Sequence, residues 1–165
     1  MSHEAYLDIE TTGLSSVYSY ITVIGIYLVA DRQSKMVQLV GEDVTEPNLL
    51  QALENVETIF TYNGARFDLP FIEESLGVRI FHRFHHRDLM FDCWRCNLYG
   101  GFKVVETKLG INRELKGVNG LDAILLWRRY QNGDEEALKT LLKYNREDVI
   151  NLKVLREKLK EHPLY

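Results

Sequence analysis

The stretch that most constrains the fold is YITVIGIYLVAD, Tyr20–Asp31. β-Branched and aromatic residues dominate it, and such side chains pack best on a pleated, half-buried surface. It predicts a long strand. YLDIE (Tyr6–Glu10) alternates just before it, and KMVQLVGE (Lys35–Glu42) follows a turn at Asp31–Ser34. Three such runs in succession make an antiparallel meander. EPNLLQALENV (Glu46–Val56) predicts a helix, with Pro47 suited to its first turn. TIFTYN (Thr58–Asn63) predicts a fourth strand. Reached through a helical crossover, it lies parallel to the first. ARFDLPFIEESLG (Ala65–Gly77) starts as a loop and becomes a helix that ends at Gly77.

The rest of the chain reads as helices around Asp88–Leu98, Lys103–Leu109, Leu121–Tyr130 and Asp134–Lys160, separated by glycine-containing breaks. In the last of these, Leu138, Leu141, Leu142, Val149, Leu152, Leu155 and Leu159 recur at helical spacing. Three strands, a helix, a strand and then helices predict an α/β fold with a mixed sheet flanked by helices. With 165 residues and neither repeats nor linker-like tracts, the chain reads as a single domain.

Two carboxylates interrupt the first strand. Residues i and i+2 share one face of a strand, so Asp8 and Glu10 project together with Tyr6, while Leu7 and Ile9 face the other way. Two like charges this close repel unless something neutralises them. A solvated edge strand would do so, and so would a hard divalent cation, which prefers carboxylate oxygens. The last helix holds a second anomaly. Its apolar stripe passes through position 148, which is Asp148, with Tyr144 one turn earlier on the same face. An acid in a core-facing stripe is costly unless paired or metal-bound. Its sequence neighbours Lys143 and Arg146 point elsewhere on the helix, which favours function. A third acid, Asp68, follows a strand and opens a helix, where it also suits the helix dipole.

These stretches together resemble the three motifs of the DEDD (DnaQ-like) 3′–5′ exonuclease family, within the ribonuclease H-like superfamily. LDIETTGL is similar to the family's D-x-E-T-T-G, YNGARFDLPFI to N-x-x-x-F-D-x-P-F, and YNREDVINL to Y-x-x-x-D. The motifs occur in the family's order from Asp8 to Asp148. The resemblance implies a ribonuclease H-like fold and four metal-binding acids, Asp8, Glu10, Asp68 and Asp148. Tyr144 then matches the tyrosine that helps position the attacking water. The histidine subclass places His five residues before the last Asp, and here that position is Lys143, so the tyrosine subclass fits. HHRDLMFDCW and KVVETKLGI look most like a prokaryotic exonuclease branch. Asn63 and Phe67 fall where relatives contact the terminal nucleotide, and Thr11, Thr12 and Leu14 where they touch the substrate's 3′ end. Asp88 is a further acid without an assigned role.

The resemblance implies hydrolysis of single-stranded DNA or RNA from the 3′ end. Two divalent cations, Mg²⁺ or Mn²⁺, would clamp the scissile phosphodiester, with Asp8 bridging both. A ribonuclease H-like endonuclease, or a binding domain that has lost activity, are the alternatives; the presence of all four acids and Tyr144 speaks against the latter.

The formal charge of −4 argues against a protein that coats phosphates directly, though not against one that meets them through cations. Between Arg79 and Lys116, eight Lys and Arg stand against four acids, +4 locally, with His82, His85 and His86 in addition. This stretch is either a backbone track for nucleic acid or a solvated helical surface. Cys93 and Cys96 form a lone CWRC. Without a second such pair it predicts two cysteines one turn apart on a helix, at least one of them packed, rather than a zinc site. No apolar run reaches membrane-span length. The opening MSHEAYLDIE lacks the basic and apolar regions of a signal peptide, which predicts a cytoplasmic location.

Overall fold

The computed structural model describes residues 3–165. The meander is β1 (His3–Thr11), β2 (Ile21–Ala30) and β3 (Gln33–Val40), antiparallel throughout. A tight turn at Asp31 and Arg32 joins β2 to β3, with Asp31 at φ 53°. Helix α1 (Glu46–Ala52) then crosses over to β4 (Thr58–Thr61), which pairs parallel with β1. Thr45 caps α1 by accepting from the Asn48 N–H. Helix α2 (Asp68–Leu76) ends on Gly77, whose φ of 70° suits a residue without Cβ.

A short helix, α3 (Ile80–Arg83), precedes β5 (His85–Asp88), which pairs parallel with β4. Among the described residues the sheet therefore has five strands, in the order β3-β2-β1-β4-β5. The fifth strand and α3 were not expected. β5 is the polar run HHRD on the sheet's edge, and only Asp88 in it is buried. It has no alternating apolar pattern to reveal it, and its extended form comes from pairing with β4. Helices α4 (Leu89–Arg95), α5 (Phe102–Leu109), α6 (Gly120–Gln131) and α7 (Glu135–Lys160) complete the chain, close to the expected spans. α1 is shorter than its helical pattern suggested, and β4 stops before Asn63, which turns out of the sheet at φ 61°.

Two packed layers sandwich the sheet. Leu7 and Ile9 join α1 and α2 residues such as Leu49 and Phe71 on one face. Tyr6 faces the other way, toward Leu152 and Leu155 of α7 and toward Cys93 and Cys96, both buried and both free thiols. The face of β1 that carries Asp8 and Glu10 is thus the face crossed by α7. The crossing is close at Gly25 of β2. A Cβ there would stand 2.1 Å from the Asn145 side-chain oxygen, so any other residue would displace the Asn145 amide from its bonds to Asp8 and Gln38. Among the described residues, no helix is long and apolar enough to cross a membrane.

Candidate active site

α7 lays its Tyr144–Asp148 turn over the C-terminal half of β1. One oxygen from each of Asp8, Glu10 and Asp148 comes within 4.8 Å of the others, the one such grouping of potential metal ligands among the described residues. Asp68 reaches the same centre from α2. Its Oδ2 accepts from the Ile9 N–H at 3.0 Å, the backbone amide between the two strand acids. Asp68 lies outside the group of three, but its charge acts on both Asp8 and Glu10.

The electrostatics are those of a site short of positive charge. Asp8 and Glu10 are held well above the usual carboxylate range, first by desolvation and then by neighbouring carboxylates, Asp148 foremost. Burial pushes Asp68 up to about 7. Asp148 is also raised by burial, against the pull of Arg113 and Lys103. Glu10 Oε1 is buried and accepts no hydrogen bond. An orphaned acceptor among converging carboxylates is an unfavourable arrangement in the chain alone. An all-oxygen donor set of this kind fits a hard divalent cation.

Two cations of the chain flank the acids. Arg113, in the loop after α5, is 8% exposed at its side chain and forms ion pairs with both Glu106 and Asp148. The Asn151 amide donates to the same Glu106 at 2.5 Å. Lys103 of α5 donates from Nζ to the Tyr144 hydroxyl at 2.6 Å, its ammonium 4.6 Å from the ring centroid. Asn145 donates to the Asp8 backbone oxygen at 3.3 Å and to Asp8 Oδ2 at 3.4 Å, and its own oxygen accepts from Gln38 at 3.0 Å.

Asp8, Glu10, Asp148 and Tyr144 line an open cleft of about 500 Å³, and Asp68 lies outside that lining. Thr11, Leu14 and Phe67 line the cleft as well, together with Leu121 and Ile124 of α6. Leu14 is 87% exposed, so the cleft presents a bare apolar lip to solvent. Thr12 and Asn63 are not among the lining residues. The Thr12 hydroxyl accepts from the Tyr20 N–H at 3.1 Å and closes the loop between β1 and β2. The Asn63 N–H donates to Asp88 at 2.8 Å, in the turn after β4.

Sequence reasoning missed Lys103, Arg113, Asn145, Leu121 and Ile124. Lys103 and Arg113 lie within the basic Arg79–Lys116 stretch, but nothing in it singles out those two. Asn145 carried a signal, an amide one turn after Leu141 on a core-facing stripe. Asp148 does have a counterion, and it is Arg113 rather than Arg146 or Lys143; Lys143 pairs with Glu114 instead.

A five-stranded mixed sheet in this order, with acids on its first strand and last helix, defines a ribonuclease H-like domain. The chain belongs to the RNase H superfamily, whose family model matches residues 5–160. No curated protein sequence matches it significantly. Among solved structures, a family B DNA polymerase from the hyperthermophilic archaeon Pyrobaculum calidifontis is similar at 15% identity and TM-score 0.73, over 97% of this chain and 25% of the polymerase. Brucella melitensis NrnC bound to pGG is similar at 20% identity and TM-score 0.66, over 96% of this chain and 72% of NrnC. The same protein has a structure with bound Mg²⁺. A structure of exonuclease I is similar at 13% identity and TM-score 0.57, over 99% of this chain and 42% of that one. At these identities the likeness is one of fold.

Proposed function

We propose that the chain is a metal-dependent 3′–5′ exonuclease acting on single-stranded DNA or RNA, of the tyrosine subclass of DEDD exonucleases and its prokaryotic branch. One observation carries the reading: Asp8, Glu10 and Asp148 converge while a buried Glu10 oxygen has no partner. Asp8, Glu10 and Asp148, with Asp68 behind them, would hold two divalent cations, Mg²⁺ or Mn²⁺. When bound, such cations supply charge stabilisation at a phosphodiester and an acidified water. That an NrnC structure holds Mg²⁺ and another holds pGG supports the same assignment.

The chain's own groups have separate tasks. The Tyr144 oxygen accepts from Lys103, which leaves the phenolic O–H to donate into the cleft, toward a water or a phosphate oxygen. Burial and the neighbouring carboxylates raise the phenol above its ordinary value, so it holds that water by hydrogen bond and does not deprotonate it. Leu14 and Phe67 bracket the terminal base with apolar surface, and Thr11 sits beside them on the 3′-end side. Asn63 and Thr12 act indirectly, by shaping the loops that carry Phe67 and Leu14.

End-labelled substrates test the reading. Single-stranded DNA and RNA carrying a 5′ label should shorten stepwise from the 3′ end, only with Mg²⁺ or Mn²⁺ present. Internal cuts would assign an endonuclease instead, and binding without metal-dependent cleavage an inactive domain.

A further inference from the structure

The loop between β4 and α2 carries a second feature that the cleft does not use. Arg66 is exposed, and its guanidinium carbon lies 5.6 Å from the Phe91 ring centroid and 5.4 Å from that of Trp94. The two rings meet edge to face, 5.2 Å apart at 79°, and form a corner around the guanidinium. Both distances are within cation–π range. Among the described residues Arg66 has no ion pair, and it hydrogen-bonds through its backbone, from its N–H to the Asn63 carbonyl oxygen. The nearby acids are already committed. Asp92 is held by Arg87 and Arg95, and Asp88 by the N–H groups of Asn63, Ala65 and Met90. Arg66 is therefore a preorganised cation whose donors are free for an anion.

Asp88 also explains why this corner is fixed relative to the cleft. Its two oxygens bind Asn63 and Ala65 on one side and Met90, in the first turn of α4, on the other. One buried carboxylate thus fastens the loop carrying Arg66 to the helix carrying Phe91 and Trp94. The residue after Arg66 is Phe67, which lines the cleft, and the next is Asp68. The patch and the cleft are consecutive along one turn, which Asp88 ties to α4. Phe91 remains 37% exposed, so its ring offers free surface.

We propose that Arg66, Phe91 and Trp94 form a second nucleic-acid contact, which receives a backbone phosphate on the guanidinium and an upstream nucleobase on the Phe91 ring. The strand runs from the cleft over Phe67 to this corner, 5′ of the nucleotide being removed. Its direction rests on the exonuclease reading; the binding does not. A planar, delocalised cation recognises phosphate with its edge and stacks with its face, and aromatic platforms bind bases without regard to sequence.

Binding and hydrolysis test the patch separately. In EDTA, where cleavage is suppressed, the anisotropy of a 5′-fluorescein dT12 reports binding by the full chain. Arg66→Ala should weaken it about tenfold, and Phe91→Ala by a similar factor. Arg66→Ala should also lower the slope of log K against log salt by about 0.7, the contribution of one single-strand phosphate contact, while Phe91→Ala leaves the slope in place. Arg66→Lys should keep the slope and lose part of the affinity. With Mg²⁺, the ratio of kcat/KM for the 12-mer over that for a dinucleotide should fall in both alanine variants. Arg66 is on the surface, so its variant will fold, and a thermal melt checks the Phe91 variant. Binding of dT12 by Arg66→Ala within twofold of the unmodified chain overturns the patch and leaves the exonuclease reading intact. An unmodified chain that does not bind dT12 overturns it too. Binding that depends on Arg66 in a chain that cleaves nothing supports the patch and removes the exonuclease reading.

Discussion

Two groups of buried acids in this molecule show opposite solutions to the same cost. Asp92 and Glu106 are 1% and 2% exposed, at least as deep as Glu10 at 7%. Each is fully answered by the chain: Asp92 by Arg87 and Arg95, Glu106 by Arg113 and Asn151. Asp88, 6% exposed, takes three backbone N–H bonds. On β1 the opposite holds. Among the described residues no cation of the chain pairs with the Asp8 carboxylate, where the Asn145 amide stands at 3.4 Å, and one Glu10 oxygen has no partner. Paired acids hold loops and helices together. Unpaired acids that converge are a standing cost in the chain alone, and such costs persist where function needs them. Burial alone therefore does not mark the site; an orphaned carboxylate oxygen among converging acids does.

Removing a charge on the unpaired side should give the largest effect, and it should split function from stability. Asp8→Asn should lower cleavage by about three orders of magnitude or more, since the metal's charge stabilisation is worth several kcal/mol. The same variant should melt higher than the unmodified chain when metal is absent. The sign follows from linkage. The Asp8 carboxyl is held above its unfolded value, so the metal-free folded state binds more protons than the unfolded one and loses stability as pH rises through that window. The gain from Asn should thus grow as pH rises through the raised folded-state value and vanish as pH falls below the unfolded value of about 3.9, where the carboxyl is protonated in both states. Melting curves in EDTA across this range check it. A variant that is inactive and also less stable at pH 8 would place Asp8 with the structural acids.

Removing a charge on the paired side should do the reverse. Arg113→Met leaves Glu106 without its counterion and Asp148 without its ion pair, and stripping one partner from a buried pair costs about 3–5 kcal/mol. For a chain of this length each kcal/mol moves the melting temperature by about 2–4 °C. Urea unfolding in EDTA gives the free energy directly. Mg²⁺ should recover the part due to Asp148 and leave the part due to Glu106. Unchanged stability would mean that the Arg113 network is incidental.

How far the site could be read beforehand follows the same division. Asp8, Glu10 and Asp148 are visible in the sequence because each violates a periodicity, two in a β-branched strand and one in a leucine stripe. The meander, the parallel fourth strand and the long last helix are visible because their apolar spacing is regular. β5 is hidden because an edge strand need not alternate, and HHRD reads as any polar segment. Lys103 and Arg113 are hidden for another reason. Their place is fixed by the path of α5 and the loop after it, and the site residues they reach, Tyr144 and Asp148, lie 41 and 35 residues away in the chain. Local spacing carries no trace of such a contact.

Lys103 stands apart from the ion-paired cations, because it approaches the converging carboxylates without forming an ion pair with them. Its ammonium bonds the Tyr144 oxygen, and its charge pulls against the raised carboxylates of Asp8, Glu10 and Asp148. If its task is to aim the Tyr144 hydroxyl, removing it removes one charge-assisted hydrogen bond. Lys103→Met should then lower kcat about tenfold, which corresponds to about 1.4 kcal/mol. Tyr144→Phe should lower it at least as much, and the double variant should be no slower than Tyr144→Phe alone. That non-additivity separates aiming from simple charge balance. If Lys103 acts only by offsetting the carboxylates, the two losses add, and the metal concentration needed for half-maximal rate shifts in Lys103→Met whether or not Tyr144 is present. The cycle therefore decides whether the lysine belongs with the partners that hold the fold or with the groups that face the substrate.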